Sequence, residues 1–382
     1  MAVGFPTKAN WAAGDILTAA QMDDLAGTVN TLSPVGQANG STLVANSANA
    51  SGLGWQPLNA AGKNAVINGG MDNWQRGTSF TSAWGGNGTY TADRFSIYHN
   101  ATGGTVTRQT VSDTTNLPTI QYCARIARNN ADTSVANFVW AYTLESADSY
   151  RFAGQTVVLS FYARKGANYS AASNALTVSL QSGTGTDQNV NLPFTGAATV
   201  ASGTATLTTT WQRFQYTGTV GAAATELGMT FTFTPTGTAG AADYFEITGV
   251  QVELGSTAST FSRAGGTIQG ELAACQRYYQ RMTGTVINNN FGVGTRITTT
   301  GLYVPYYLPV QMRTSPTFGV GNQTYFNVNN GLTNTATTAV ALDQSSPYIA
   351  SVVYTTSSST AGTAGNIYVN TAGAYLEFIA EL

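Results

Sequence analysis

A chain of 382 residues is long enough for two or three domains, yet only 9% of its residues are charged and its formal net charge is −2. So few Lys and Arg exclude the clustered positive charge that nucleic-acid binding needs. No apolar run approaches the ~18–20 residues that span a bilayer, which excludes membrane insertion by a helix. The opening residues, MAVGFPTKANW, lack the basic-then-apolar order of a secretory signal, so we do not expect export by that route.

Residues 1–32 contain the clearest helical pattern. Thr18 and Gln21 fit a capping box, in which hydroxyl and amide each satisfy a free backbone donor. Apolar residues then recur at the 3-4-3 spacing of a short coiled coil, at Met22, Leu25, Val29 and Leu32. We interpret 1–32 as an N-terminal attachment and oligomerisation helix whose seam supports contacts made elsewhere. A helix packed against its own chain fits the pattern equally well.

Residues 33–63 form a segment rich in Gly, Ser and Asn, with isolated apolar residues such as Leu43 and Trp55. Such a composition cannot bury enough apolar surface to offset the entropy of ordering the segment by itself. We therefore predict either a flexible linker or a segment ordered against partner chains, and Trp55 favours the second interpretation.

Residues 64–262 have the pattern of an all-β domain. Apolar residues alternate with polar ones at period two in several short segments separated by Gly, Asn, Ser and Thr. The apolar positions include Ile120/Tyr122/Ala124/Ile126, Phe138/Trp140/Tyr142, Val157/Leu159/Phe161, Leu176/Val178/Leu180 and Leu227/Met229/Phe231/Phe233. A series of short antiparallel strands of this kind predicts a two-sheet β-sandwich of jelly-roll type.

The segment Tyr244–Leu254 breaks this alternation. Phe245 and Ile247 share one parity, whereas Val250, Val252 and Leu254 share the other. One interpretation is a β-bulge near Gly249, because a bulge reverses which side chains face the core. The other is a strand covered on both faces, and the sequence does not decide between them.

Residues 263–382 predict a second, smaller β-rich domain at the distal end. It begins with a helix-compatible stretch, Glu271–Arg281. Strands are predicted at 283–291, 295–310, 317–328, 337–342, 347–355 and 366–380. Three prolines, Pro305, Pro309 and Pro316, are expected at sheet edges or strand ends.

The two cysteines, Cys123 and Cys275, fall in different predicted domains and in apolar surroundings. We expect two small buried thiols rather than a disulfide.

Residues suited to catalysis are few. A single histidine, His99, excludes a multi-histidine metal site and has no nucleophile motif beside it. Glycosidases need paired carboxylates, for which the candidates are Glu145 with Asp148 and Glu246 with Glu253. The first pair lies in a predicted turn. The second has a spacing that places its members on opposite faces of a regular strand, unless a bulge brings them together. We therefore predict no catalytic residues, no metal site and no cofactor.

The aromatic residues favour glycan binding more than the charged residues favour catalysis. Trp84 and Tyr90 lie in the Gly-rich stretch SAWGGNGTY, where rings on polar loops suit the faces of sugars. These two residues are the predicted glycan contacts, although Trp84 also fits an interface between chains. Trp74 and Trp211 fit core positions, and the group Tyr303, Tyr306 and Tyr307 fits a packed edge.

Several segments together resemble bacteriophage tail-fibre and related virion appendage proteins. NAVINGGMDNWQRGTSF and YTADRFSIY resemble the opening of a jelly-roll domain found in such proteins, and AGQTVVLSFYARKG, TTTWQRFQYTGTV and ITGVQVELGSTASTFSR resemble its later strands. ELAACQRYYQRM, GDILTAAQMDDL and STLVANSANASGLGWQ are also similar to pieces of these proteins. The final 65 residues carry no such resemblance.

The resemblance implies a virion structural protein that is usually a homotrimer and is held by other virion proteins through its N-terminal region. Such a protein is made in the host cytoplasm and exposed on the particle, where its outer domains contact host polysaccharide. The middle domain is also similar to jelly-roll carbohydrate-binding modules, many of which hold a structural calcium ion. At the corresponding places this chain has Asn73 and Gly249, with Asp72 and Glu246 nearby, which is a poor set of ligands for calcium.

These observations lead to a functional prediction with two alternatives. The leading one is a trimeric phage fibre-type protein that mediates attachment to host surface glycans and is not an enzyme. One alternative is a purely structural appendage of capsid, neck or tail without receptor binding. The other, more remote, is a polysaccharide depolymerase.

Overall fold

The computed structural model describes residues 41–45, 53–57, 62–82, 88–99, 103–329, 333–357 and 360–382. For residues 41–45, 53–57, 82 and 99 it describes the backbone alone. The predicted N-terminal helix with Met22, Leu25, Val29 and Leu32, most of the predicted linker, and Trp84 lie outside these ranges. Within the linker, strands β1 (Ser41–Ala45) and β2 (Leu53–Pro57) form an antiparallel pair.

Twelve antiparallel strands form a sandwich of two six-stranded sheets. The strands are β3 (Ser79–Ser82), β4 (Thr89–Tyr90), β5 (Phe95–His99), β6 (Gly104–Thr110), β7 (Tyr122–Arg128), β8 (Phe138–Thr143), β9 (Thr156–Lys165), β10 (Ala175–Gly183), β11 (Ala198–Thr206), β12 (Gln212–Thr219), β13 (Glu226–Phe233) and β14 (Tyr244–Leu254). Sheet I has the order β11-β10-β13-β8-β5-β4, and sheet II has the order β12-β9-β14-β7-β6-β3. A one-turn helix, α1 (Ser146–Ser149), and 3-10 turns at Tyr150–Phe152 and Ala172–Asn174 lie in the connections.

The core between the two sheets is made by the apolar positions that alternate along the strands. Phe161 on sheet II meets Phe231 on sheet I edge to face, with ring centroids 4.8 Å apart, and both side chains are fully buried. Trp140 and Leu180 of sheet I are likewise buried in this core. The predicted all-β sandwich is therefore confirmed, because the period-two pattern presents one apolar face per strand.

Both interpretations of Tyr244–Leu254 are correct. The register in which β14 pairs with β9 shifts between Thr248 and Gln251, and Gly249 in between adopts a φ of +59°. This shift is the predicted bulge. The strand is also buried on both faces, from Phe245 to Glu253. The bulge keeps Phe245, Ile247, Val250 and Val252 in the core on either side of Gly249, while the polar residues lie on the outer face. Leu254, at the end of the strand, is 43% exposed.

A second β domain follows, after helix α2 (Ile268–Gln276). Its strands are β15 (Tyr279–Gly284), β16 (Asn290–Arg296), β17 (Gly301–Tyr307), β18 (Thr317–Val320), β19 (Phe326–Asn329), β20 (Asn334–Ala336), β21 (Ala339–Ser345), β22 (Ile349–Thr355), β23 (Ala364–Val369) and β24 (Ala374–Ile379), with a 3-10 turn at Gln323–Tyr325. They form a three-stranded sheet, β15-β24-β18, and a seven-stranded sheet, β20-β19-β23-β16-β17-β22-β21. These sheets enclose a core of their own that includes Val352 and Phe378.

Several sequence predictions in this domain need correction. The helix starts earlier than predicted because Thr267 caps it, its side chain accepting a hydrogen bond from the Gly270 amide at 3.0 Å. It also ends earlier, and Tyr279 already belongs to a strand. The predicted strand at 366–380 is two strands, β23 and β24, and that at 317–328 is β18 and β19. The predicted strands at 283–291 and 295–310 are interrupted at 285–289 and 297–300.

The prolines are placed as expected in two cases out of three. Pro309 follows β17 and Pro316 precedes β18. Pro305, however, lies inside β17, which has neighbours on both sides in the sheet. It is tolerated there because β16 pairs with β17 only at Tyr303 and Leu302, so the side of the strand next to Pro305 lacks a partner in β16.

The two β domains are joined by more than the chain between them. Cys275 of α2 and the following Tyr278 pack in the core of the first sandwich, beyond the predicted boundary at residue 262. The boundary itself stays a prediction. Cys123 and Cys275 are both buried free thiols, as expected. Among the residues described, no helix is long and apolar enough to cross a membrane.

Candidate functional site

A straight row of side chains crosses the outer face of sheet II. The pairing register places Ser79 beside Thr107, Thr107 beside Arg125, Arg125 beside Glu246, and Glu246 beside Arg164. Trp211 continues the row, because the next residue, Gln212, pairs with Ala163. We call this set the arginine row: Ser79, Thr107, Arg125, Glu246, Arg164 and Trp211.

The alternation of strand residues explains why the row faces away from the core. Ala124 and Ile126 flank Arg125 in β7, and both lie in the core between the sheets. Phe245 and Ile247 flank Glu246 in the same way. Because neighbours along a strand point to opposite faces, the charged residue between two core residues must lie on the outside.

The centre of the row is a carboxylate held by two guanidinium groups. Glu246 Oε1 accepts from Arg125 Nε at 2.9 Å and from Arg125 Nη2 at 2.6 Å, while Oε2 accepts from Arg164 Nε at 2.5 Å. The Glu246 side chain is fully buried, whereas those of Arg125 and Arg164 remain 30% and 27% exposed. The carboxylate is thus enclosed beneath two cations that reach the surface.

Aromatic rings fix both guanidinium groups from the side. Arg125 lies over the Tyr244 ring at 4.0 Å, and Arg164 lies over the Trp211 ring at 4.9 Å. Cation–π contact and the shared carboxylate together limit the rotamers that each arginine can adopt. The two cations are therefore held in position before any ligand arrives.

The arginine row is long, and the outer row on one side of it consists mostly of small side chains. With strands about 4.8 Å apart, the five steps from Ser79 to Trp211 span about 24 Å. The adjacent outer row contains Thr81, Thr105 and Ala127, paired in register with one another, and ends at Tyr244. Small uncharged side chains therefore border the guanidinium groups on this side. On the other side of the row the sheet face is covered, because Val111, Leu117, Ile120 and Phe261 pack there against Cys123 and Trp211. The uncovered side can meet an elongated polar ligand through hydroxyls and cations.

Of the residues predicted from sequence to bind glycans, only Tyr90 is described. It is partly buried, its hydroxyl donates to the Leu382 carbonyl oxygen at 3.2 Å, and Asn189 Nδ2 lies 3.3 Å from the same hydroxyl. Burial, reinforced by the charge of Glu381, raises the pKa of Tyr90 to about 12. Its role in glycan contact stays a prediction, as does that of Trp84 outside the described residues.

The first carboxylate pair weighed for catalysis is held by structural partners. Glu145 accepts from Arg277 through both oxygens, at 2.7 and 3.0 Å, and from the Tyr278 hydroxyl at 2.8 Å. Burial alone would raise the pKa of Glu145, but these hydrogen bonds outweigh it and the pKa lies below its ordinary value. Burial, followed by the charge of Glu145, raises the pKa of Asp148.

The second pair is brought to one face by the bulge at Gly249, which a regular strand would not do. Glu253 nevertheless accepts from Gln251 Nε2 at 2.7 Å and from the Ser259 amide and hydroxyl at 2.6 and 2.7 Å. Glu246 is enclosed by its two arginines. Each carboxylate of this pair therefore serves the local structure.

The position considered for calcium is a shallow cleft of about 400 Å³ lined in part by Asp72, Asn73 and Arg263. Asp72 is paired with Arg263, whose Nε lies 2.7 Å from its Oδ2. In the part of the chain that the structure describes, no group of three or more His, Cys, Asp or Glu could hold a metal ion. Trp74 and Trp211 are buried, as the sequence indicated.

Arg125 and Arg164 were not among the residues predicted from sequence. A signal existed, since both occupy the outward parity of apolar strands, in YCARIAR and FYARKG, within a chain that has few charges. A charge in such a place requires a partner, and that partner, Glu246, is far away in sequence. That Arg125, Arg164 and Glu246 lie together follows only from the order of the strands in sheet II.

Comparison with known proteins finds only weak structural similarity. No protein-family model and no curated protein matches the chain. Among solved structures, a CBM4 structure matches with a TM-score of 0.29 and 16% identity, over 50% of this chain and 100% of that one. The CBM22-1 xylan-binding domain of Paenibacillus barcinonensis Xyn10C matches with a TM-score of 0.28 and 12% identity, over 52% of this chain and 98% of that one. The K1 cleaved adhesin domain of Lys-gingipain from Porphyromonas gingivalis W83 matches with a TM-score of 0.27 and 11% identity, over 48% of this chain and 100% of that one. At such low TM-scores these similarities carry no argument about function.

Proposed function

We propose that this chain is a fibre-type structural protein of a bacteriophage virion, which attaches the particle to host surface glycans through the arginine row. The observation that carries the glycan proposal is the row itself. It combines two partly exposed guanidinium groups, held in place by aromatic rings, with neighbouring Ser and Thr hydroxyls on the outer face of sheet II. Such groups supply the hydrogen bonds that sugars use.

The virion assignment is supported by the sequence segments that resemble phage fibre and appendage proteins, from GDILTAAQMDDL to ELAACQRYYQRM. In this proposal the chain is a homotrimer held by other virion proteins through its N-terminal region. It is made in the host cytoplasm and displayed on the particle surface. It binds host polysaccharide without cleaving it and needs no cofactor.

The attachment proposal is tested by binding of the full chain to polysaccharides extracted from the surface of host cells, measured by biolayer interferometry. We expect saturable binding that Arg164→Gln weakens, because this change removes one exposed cation and leaves the Arg125–Glu246 pair intact. Arg151→Ala is the matched control, since it removes an equal charge from an exposed arginine outside the row. Trp84→Ala measured in parallel tests the other predicted contact.

Two results would decide against the proposal. If the wild-type chain bound none of the extracted polysaccharides, a purely structural appendage would be the better description. If reducing ends were released from the polysaccharide, the chain would be a depolymerase. Immunogold labelling of intact particles tests the virion assignment separately.

A further inference from the structure

We infer that the glycan bound at the arginine row is acidic, and that its carboxylate is held between Arg125 and Arg164. This inference rests on the proposed function and adds the chemical class of the ligand. It is argued from the charge of the row, from the free donors of the two guanidinium groups and from their geometry.

The charge at the centre of the row is positive. Two guanidinium groups share one carboxylate, that of Glu246, which leaves a net charge of +1 for the three side chains. The neighbouring positions Ser79 and Thr107 carry no charge. This excess is notable in a chain whose formal net charge is −2 and of which only 16 residues are Lys or Arg. A local positive potential attracts an anionic ligand.

One further acidic group, Asp113, lies near the row. Its side chain is partly exposed, and its pKa is lowered chiefly by hydrogen bonds from Asn116, with a smaller contribution from the charge of Arg164. Its carboxylate is bonded to the Asn116 side chain and to the Thr115 and Asn116 amides. Arg213, which pairs with Tyr162 across the strands, contributes a further cation 5.5 Å from the Tyr162 ring centroid. With the charges of Asp113 and Arg213 included, the net charge of the five side chains is still +1.

Donors remain available on both central arginines. Glu246 engages Nε and Nη2 of Arg125 and Nε of Arg164. Among the residues that the structure describes, no protein acceptor lies within hydrogen-bonding distance of Arg125 Nη1 or of either Nη atom of Arg164. Since both side chains are about a third exposed, these N–H groups are open to a ligand.

The geometry of a guanidinium group favours a carboxylate over a neutral hydroxyl. Its planar arrangement of donors matches the two oxygens of a carboxylate, and such charge-assisted bonds are roughly twice as strong as neutral ones. Glu246 and the stacked rings of Tyr244 and Trp211 already hold the guanidinium groups in place, which reduces the entropy lost on binding. A uronic acid unit within a polysaccharide presents such a carboxylate while its ring and hydroxyls contact the rest of the row.

The test compares one polysaccharide in two charge states. Isothermal titration calorimetry of the full chain with polygalacturonate should show binding, and fully methyl-esterified polygalacturonate should bind roughly tenfold or more weakly, as expected for the loss of charge-assisted hydrogen bonds. Binding to polygalacturonate should also weaken as salt is raised from low ionic strength. Dextran sulfate is titrated in parallel, as a polysaccharide that carries sulfate groups in place of carboxylates.

Two variants with opposite charge effects sharpen the test. Thr107→Glu places a carboxylate beside Arg125, where opposite charges across paired strands favour folding, and it competes with the ligand for Nη1. We expect this variant to lose most of its affinity for polygalacturonate. Asp113→Asn removes a partly exposed negative charge near Arg164 and should raise that affinity. Arg151→Ala should leave it unchanged.

The outcomes separate this inference from the proposed function. If the chain binds host polysaccharide but treats polygalacturonate and its methyl ester alike, the acidic-ligand inference is wrong and glycan attachment stands. Preferential binding of dextran sulfate would overturn the carboxylate assignment. If polygalacturonate and host polysaccharide both fail to bind, the inference and the proposed function fall together.

Discussion

The guanidinium group of Arg94 and the carboxylate of Glu381 form a buried ion pair that joins the first sandwich to the end of the second β domain. Arg94 also donates to the Thr143 carbonyl oxygen at 2.7 Å and lies over the Tyr278 ring at 3.6 Å. Burial alone would lower the pKa of Arg94, but Glu381 holds it well above its ordinary value. Two regions that are 287 residues apart in sequence are therefore fixed to each other by charge.

Replacement of Glu381 by Ala should destabilise the protein by about 3–5 kcal/mol, because it leaves the cation of Arg94 buried without its partner. The free energy of unfolding in urea measures this loss. Asp343→Ala is the control, since Asp343 is exposed and such surface changes fall within about 0.5 kcal/mol of zero. Equal effects of the two substitutions would show that the ion pair contributes nothing.

Asp93 should make stability depend on pH. Burial raises the pKa of Asp93 to about 6, although the charge of Arg76 and hydrogen bonds from Gln75 act in the opposite direction. The folded state therefore binds a proton that the unfolded state releases between about pH 4 and pH 6, and stability falls as pH rises through this range. The loss amounts to roughly 3 kcal/mol and is complete above about pH 6.

The Asp93→Asn variant removes this titration. Unfolding free energies of the wild type and the variant, measured at several pH values from 4 to 7, should diverge in favour of the variant as pH rises. A constant difference across the range would contradict the assignment to Asp93.

Phe161→Ala should cost roughly 3–5 kcal/mol, because it opens a cavity between the sheets of the first sandwich. The ring is fully buried and contacts Phe214 and Phe231, with centroids 5.6 and 4.8 Å away. Thermal unfolding followed by circular dichroism measures the change. Val135→Ala, at a position that is 55% exposed, should have almost no effect. A Phe161 variant as stable as the Val135 variant would be inconsistent with this packing.

Glu145→Gln separates a structural role of this carboxylate from a catalytic one. We expect glycan binding to be unchanged and stability to fall by about 1–3 kcal/mol, because the charge-assisted bonds to Arg277 and Tyr278 weaken. Binding to host polysaccharide and unfolding in urea are measured on the same preparation. An enzyme would show turnover that this substitution abolishes. Detection of such turnover would contradict the proposal of a protein that only binds.

The proposed homotrimer is tested by multi-angle light scattering of the full chain. We expect three times the chain mass of 39.8 kDa. A variant with Leu25 and Val29 both replaced by Ser should dissociate more readily if the predicted N-terminal seam supports the trimer. A monomeric wild type at micromolar concentration would refute the proposal.

The sequence alone determined the architecture of the first sandwich, because period-two alternation is a local property of each strand. It indicated that Phe161 and Phe231 face a core and that Cys123 and Cys275 are buried thiols, and it offered a bulge near Gly249 as one of two interpretations. In each case the physical cause, one apolar face or one positive φ, lies within a few residues of the position concerned.

The arginine row was decided only by tertiary structure. Arg125, Arg164 and Glu246 come from three strands, and no local pattern states that β14 lies between β7 and β9. The same holds for Arg94 and Glu381, and for Pro305, whose tolerance depends on where β16 stops pairing with β17. Strand order and register arise from the packing of the whole core, so the residues that they bring together cannot be read from spacing along the chain.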